Sequence, residues 1–106
     1  MFVRNVSMHL KPNTLNEFTR TLESEIIPLL RKQKGFRDTI MLVTPGEKEV
    51  QAISFWDEKE NATAYNTSAY PQVLKSFEKF IEGTPQVKTF EVAYSTLHKL
   101  PVYATA

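Results

Sequence analysis

Cysteine is absent from this chain. That excludes disulfides, thiolate metal sites, iron–sulfur clusters and a cysteine nucleophile. Glycine is almost absent too: Gly35, Gly46 and Gly83 are the only three and each stands alone, so no glycine-rich loop exists to cradle a phosphate. Histidine is limited to His9 and His98. A catalytic zinc needs three convergent protein ligands, so neither a metal centre nor a Ser-His-Asp arrangement is expected. An excess of one charge sign is also missing, since 13 Lys and Arg stand against 12 Asp and Glu, with no run of five or six like charges. Nothing draws the chain to a polyanion, and no nucleic-acid partner is expected. The start, MFVRNVSMHLKPN, is broken by Arg4, Asn5, Ser7 and His9, and no later run is long and apolar enough to span a membrane. The expectation is a cytoplasmic protein with no membrane partner.

What is present is a core. Hydrophobic residues make up 42% of the 106 residues and aromatics 11%, enough for one domain. From Phe2 to Leu10 the residues alternate, with Phe2, Arg4, Val6, Met8 and Leu10 on one side and Val3, Asn5, Ser7 and His9 on the other. This predicts a strand. Leu15, Phe18, Leu22, Ile26 and Leu29 then fall at helical spacing, with Asn13 or Thr14 as cap, a kink at Pro28 and an end near Lys34 before Gly35. FRDTIMLVT and EVQAISFW read as two more strands joined by Pro45-Gly46-Glu47-Lys48, a four-residue hairpin turn.

Asp57 and Glu60 have the spacing of a capping box, which predicts a short helix over 58–67. A longer helix over 69–82 follows, with Ser68 as cap, Pro71 in its first turn, Val73, Phe77, Phe80 and Ile81 as its buried stripe and Gly83 as its stop. Residues 87–100 alternate again as a last strand, and 101–106 form a tail. Strand, helix, strand, strand, helix, strand specifies an α+β, ferredoxin-like four-stranded antiparallel sheet with both helices on one face. The expected strand order is 4-1-3-2, with the first and third strands side by side and parallel. Both faces of EVQAISFW are substantially apolar. The helices cover one, and a second copy of the sheet is the simplest cover for the other. RNA recognition on this fold needs a glycine and a basic residue in the third strand, and EVQAISFW has neither.

The remaining polar and aromatic residues gather at one sheet-to-helix junction: Asn5, Trp56, Asn61, Tyr65, Asn66 and Tyr70. Asn61 and Tyr65, four apart, share a helix face. Read singly, the aromatics are core and rim, and the asparagines are caps and turn formers.

The pattern from FVRNVSMHL through GFRDTIMLV to QAISFWDEKENATAY resembles the antibiotic biosynthesis monooxygenase (ABM) family across residues 1–100. Its most specific piece is the strand ending in Phe55-Trp56, followed by Asp-Glu-Lys and a helix carrying Ala64-Tyr65. The resemblance implies a homodimeric α+β barrel in which two sheets face each other, with Trp56 packing the sheet against the next helix. It implies a cofactor-independent monooxygenase of small aromatic or polyketide-like compounds, with Asn61, Tyr65 and Tyr70 as catalytic residues and Asn5, Trp56 and Asn66 contacting substrate. The alternative is a non-catalytic dimeric module that binds a small hydrophobic ligand. In the haem-degrading branch of that family, Asn5 matches the first-strand Asn, but Tyr65 replaces a Trp and Lys75 replaces the axial His. A protonated lysine is a poor haem ligand, so no cofactor is expected.

Overall fold

The first strand, β1 (Phe2–Leu10), buries Phe2, Arg4, Val6, Met8 and Leu10 and turns Val3, Asn5, Ser7 and His9 the other way. The alternation of the sequence is thus the alternation of the fold. The computed structural model describes residues 1–97; His98 and the tail 101–106 lie outside the described residues.

β1 is followed by α1 (Leu15–Thr21), a π-helical turn (Leu22–Ile26) and α2 (Ile27–Arg31). Pro28 has no N–H for the Ser24 carbonyl and its ring presses on that carbonyl. The helix relieves this by widening, and the Ile27 N–H bonds back to Leu22 O. The wide turn shifts the buried stripe, so Phe18, Ile26 and Leu30 are the buried positions, whereas uniform helical spacing pointed to Leu29. Thr14 is the N-cap residue but makes no side-chain cap bond, and its hydroxyl donates to Lys11 O at 2.7 Å.

β2 (Phe36–Val43) and β3 (Glu49–Trp56) form the expected hairpin, closed by Thr44 N–H to Glu49 O at 2.9 Å. The sheet order is β2-β3-β1-β4, the expected order read from the opposite edge. One expectation is overturned: β1 and β3 pair antiparallel, Phe2 opposite Trp56 and His9 opposite Glu49. The helical crossover returns the chain so that β2 runs with β1, and the hairpin then reverses β3.

α3 (Lys59–Ser68) and α4 (Tyr70–Phe77) follow, with a single 3₁₀ turn (Glu78–Phe80) leading into β4 (Ile81–Glu91). The cap of α3 is Glu58, not Asp57, with Asn61 rather than Glu60 as its third-position partner: the Glu58 N–H donates to Asn61 Oδ1 at 3.2 Å. Ser68 does not cap α4, because its hydroxyl donates back to Ala64 O at 2.7 Å. Ala69 instead ends α3 and opens α4, with Pro71 in the first turn of α4. The last strand begins at Ile81, earlier than expected, and ends at Glu91. Gly83, at φ +70, lies within it, at a register break between Ser7 and His9 of β1, so it supplies a bulge rather than a helix stop.

The helices cover the face of the sheet that carries Phe2, Val6, Val50 and Trp56. Phe18 stacks on Phe77 at 4.3 Å and meets Phe80 edge-on at 6.4 Å, which ties α1 to the end of α4. The other sheet face carries Val3, Asn5, Ile53 and Phe55, with Ile40, Leu42 and Phe90 each 43 to 50% exposed.

Candidate ligand site between the helices and the sheet

Arg4 is the feature around which this site is built. Strand alternation places it on the helix-covered face, where it is only 3% exposed. Its guanidinium lies 3.9 Å from the ring centroid of Tyr70 and 5.3 Å from that of Tyr65. Nη2 donates to Asn66 Oδ1 at 2.7 Å. Among the described residues Arg4 makes no ion pair, in contrast to the exposed Arg37, which pairs with Asp57. A buried cation without a carboxylate carries a desolvation cost of several kcal/mol, which two ring faces and one amide oxygen offset in part.

Beside Arg4 lies a narrow, partly open cavity of about 40 Å³, lined by the polar residues Arg4, Ser54, Tyr65 and Tyr70 and by apolar residues such as Met8, Ile26, Met41 and Phe77. Two or three waters fit such a space; an aromatic ring does not. On the other side of Arg4 is a cleft of about 330 Å³ between α3 and the β1–β4 pair, lined by Phe2, Lys59, Thr63, Asn66 and Thr89. Arg4 lines both spaces and so forms part of the wall between them.

Burial pushes the Tyr65 hydroxyl from 10.0 up to about 12, against the opposing pull of the Arg4 charge. Burial raises Tyr70 as well, again opposed by Arg4. Both phenols therefore stay protonated at neutral pH and serve as hydrogen-bond donors rather than bases.

The expected site residues divide into three groups. Tyr65 and Tyr70 come together at the cavity, ring centroids 6.0 Å apart, and Asn66 holds Arg4 there. Trp56 is fully buried behind Tyr65 at 5.0 Å, flanked edge-on by Phe36 at 5.5 Å, with its indole N–H on Ser54 Oγ at 2.9 Å. It supports the tyrosine without lining the cavity. Asn61 and Asn5 are not brought to the cavity. Asn61 caps α3 and packs on Gly35, where an added Cβ would lie 2.2 Å from Asn61 Cγ. Asn5 points to the opposite sheet face, and its buried Oδ1 has no hydrogen-bond partner among the described residues. Arg4 is the residue that sequence reasoning left out. Its signal was a charge standing among Phe2, Val6, Met8 and Leu10 on the buried side of a strand.

No protein-family model matches the chain, and no curated protein matches it. Solved structures do. A protein of unknown function from Nitrosomonas europaea is 16% identical with a TM-score of 0.74, covering 95% of this chain and 94% of its own. A structure named antibiotic biosynthesis monooxygenase is 11% identical with a TM-score of 0.69, over 87% of this chain and 98% of its own. A mutant of MhuD with two manganese protoporphyrin IX molecules bound per active site is 14% identical with a TM-score of 0.74, over 91% and 98%. At these identities the likeness is one of fold. The chain has the ferredoxin-like α+β fold of the antibiotic biosynthesis monooxygenases. Among the described residues no helix is long and apolar enough to cross a membrane.

Proposed function

We propose, from the premise of that shared fold, that the protein is a cofactor-independent monooxygenase of small aromatic or polyketide-like phenols, working as a homodimer. The observation that carries this reading is the convergence of Arg4, Tyr65 and Tyr70 on one largely apolar cavity. A phenol whose hydroxyl reaches the guanidinium and the two neutral hydroxyls at this cavity, with its ring outside the space of about 40 Å³, loses its proton more readily, because all three groups stabilise the phenolate. The proton passes to solvent, since no side chain in the set is a strong base. The phenolate ring gives an electron to dioxygen, the radical pair recombines to form a C–O bond, and the resulting peroxide anion takes up a proton from solvent. Loss of water from the ring hydroperoxide then leaves a quinone. One oxygen atom enters the product and the other leaves in water, with all the reducing electrons drawn from the ring.

No step is routed through haem. Among the described residues the cavity lining contains no histidine, and Lys75, at the position where the resemblance puts an axial ligand, lines a polar depression with Lys11 and Glu25. The homodimer reading is supported by the exposed apolar sheet face carrying Ile40, Leu42 and Phe90. A monodisperse monomer in light scattering at tens of micromolar would remove it.

The test is oxygen uptake over a panel of naphthols and anthrones, with isotope-labelled dioxygen to follow one atom into the product. Tyr65→Phe and Tyr70→Phe should each lower kcat about 10- to 100-fold, and no uptake with any panel member would end the enzyme reading. A second reading, a non-catalytic dimeric module that binds a small hydrophobic ligand outside the cavity, is favoured by a cavity too small to enclose an aromatic substrate, about 40 Å³. It predicts binding without oxygen uptake.

A further inference from the structure

The position of Arg4 between two spaces carries one step more. The inner cavity is too small for a ring, but the cleft on the other side of Arg4, at about 330 Å³, is not. That cleft has a second cation at its mouth, Lys59, and hydroxyls at Thr63 and Thr89. No acidic residue lines it among the described residues. A guanidinium carries five N–H donors in a planar fork suited to carboxylate or phenolate oxygens, and those found engaged in this one go to neutral oxygens, the amide of Asn66 and the hydroxyl of Tyr70. A site with a buried unpaired cation at its floor, an exposed cation at its rim and apolar Phe2 and Val87 in its walls has the polarity of a receptor for an aromatic anion.

We propose that the cleft between α3 and the β1–β4 pair recognises a ligand that is already an anion, an aromatic carboxylate or ionised phenol, with its charged oxygens on Arg4 and its ring held in the cleft. This rests on the oxygenase reading only for what happens next. The cleft is then the substrate site, Arg4 the specificity-determining contact and the adjoining cavity a space for dioxygen beside the ring. The inference narrows the substrate class from phenols in general to those bearing a negative charge at neutral pH.

The experiment is a titration with naphthoate, its neutral isostere naphthamide, and acetate. It is read by calorimetry and by the single indole N–H resonance of Trp56, which lies against Tyr65. Naphthoate should bind at least ten-fold more tightly than naphthamide at neutral pH, and the preference should shrink with added salt. Lys59→Gln, at an exposed position, should reduce the preference about three-fold. Arg4→Met should erase it, leaving the two naphthyl probes equal. Equal binding of both by the wild-type protein, or an undiminished preference in Arg4→Met, overturns the proposal and leaves the oxygenase reading standing. Should Arg4→Met fail to fold, a preference insensitive to both salt and Lys59→Gln overturns it instead. Acetate binding as tightly as naphthoate overturns the aromatic part of the proposal and the oxygenase reading with it. Absence of saturable naphthoate binding overturns the proposal.

Discussion

The two ends of α3 each bring an asparagine and an arginine into play, and they use them for opposite purposes. At the N-terminal end, Asn61 caps the helix and lies against Gly35, while Asp57 N–H bonds to Gly35 O at 2.8 Å and Arg37 pairs with Asp57 in the open. Both charges of that pair have a partner and water. At the C-terminal end, Asn66 accepts from Arg4, a cation shut away from solvent between two tyrosine rings with no ion pair among the described residues. The first end is built for stability. The second retains a desolvated charge at a cost in stability, the charge that the proposal above assigns to a bound anion.

The sharpest way to break the contrast is at the scaffold end. Gly35 has φ +79, and an added Cβ would strike the Asn61 side chain at 2.2 Å. Gly35→Ala therefore combines left-handed strain with overpacking and should cost about 3 kcal/mol in urea denaturation. The folded fraction should keep its preference for naphthoate over naphthamide. Loss of that preference in folded Gly35→Ala would mean that the two ends are coupled rather than separate.

Next in size is the response of Tyr65 to pH. Burial raises its hydroxyl from 10.0 to about 12 in the folded protein, so the unfolded chain gives up this proton first. The stability involved is present in full below the unfolded value and is lost as pH rises through the folded one. Between about pH 9 and about pH 12, Tyr65→Phe should lose roughly 2 kcal/mol less than the wild-type protein, because each tenfold difference in proton affinity between the folded and unfolded chain is worth about 1.4 kcal/mol. Parallel losses in the two proteins would mean that Tyr65 is not desolvated, and the site end would lose its low-dielectric character.

A smaller effect of unusual sign is expected at Arg4. Methionine fills similar volume without a charge to desolvate, so Arg4→Met forfeits the ring contacts and the amide bond yet should gain about 1 kcal/mol in stability. A more stable protein that no longer distinguishes an anion is the signature of a residue kept for binding. A loss of several kcal/mol would instead make Arg4 a structural tie between β1 and the helices.

This division of α3 was only partly legible in the sequence. Period-two alternation in FVRNVSMHL and EVQAISFW and the hairpin at Pro45-Gly46-Glu47-Lys48 were enough for the sheet and its strand order, because one-sided burial imposes the pattern directly. The start of β4 was not. Phe80 and Ile81 suit a helix stripe as well as a strand entry, and Gly83 can stop a helix or form a bulge. The roles of Asn61 and Asn66 were equally hidden. One lies against Gly35 and the other against Arg4, and these are contacts between distant parts of the chain that helical spacing does not encode. Asn5 was misplaced with respect to the cavity for a simpler reason: it neighbours Arg4 in a strand, and neighbours in a strand face opposite ways.

The smallest expected effect tests the other arm of the comparison. Arg37 and Asp57 have side chains 57% and 42% exposed, so water and salt screen their attraction and holding two side chains together costs entropy. Arg37→Ala should change stability by no more than about 0.5 kcal/mol, with little dependence on ionic strength. The helix start would still be fixed by the Asp57-to-Gly35 backbone bond and the Glu58–Asn61 cap, neither of which involves the guanidinium. A loss above about 1 kcal/mol, recovered by Arg37→Lys, would show the exposed pair to be an anchor of α3. An arginine's exposure would then cease to separate the end built for stability from the end built for binding, and the case for Arg4 would rest on the anion titration alone.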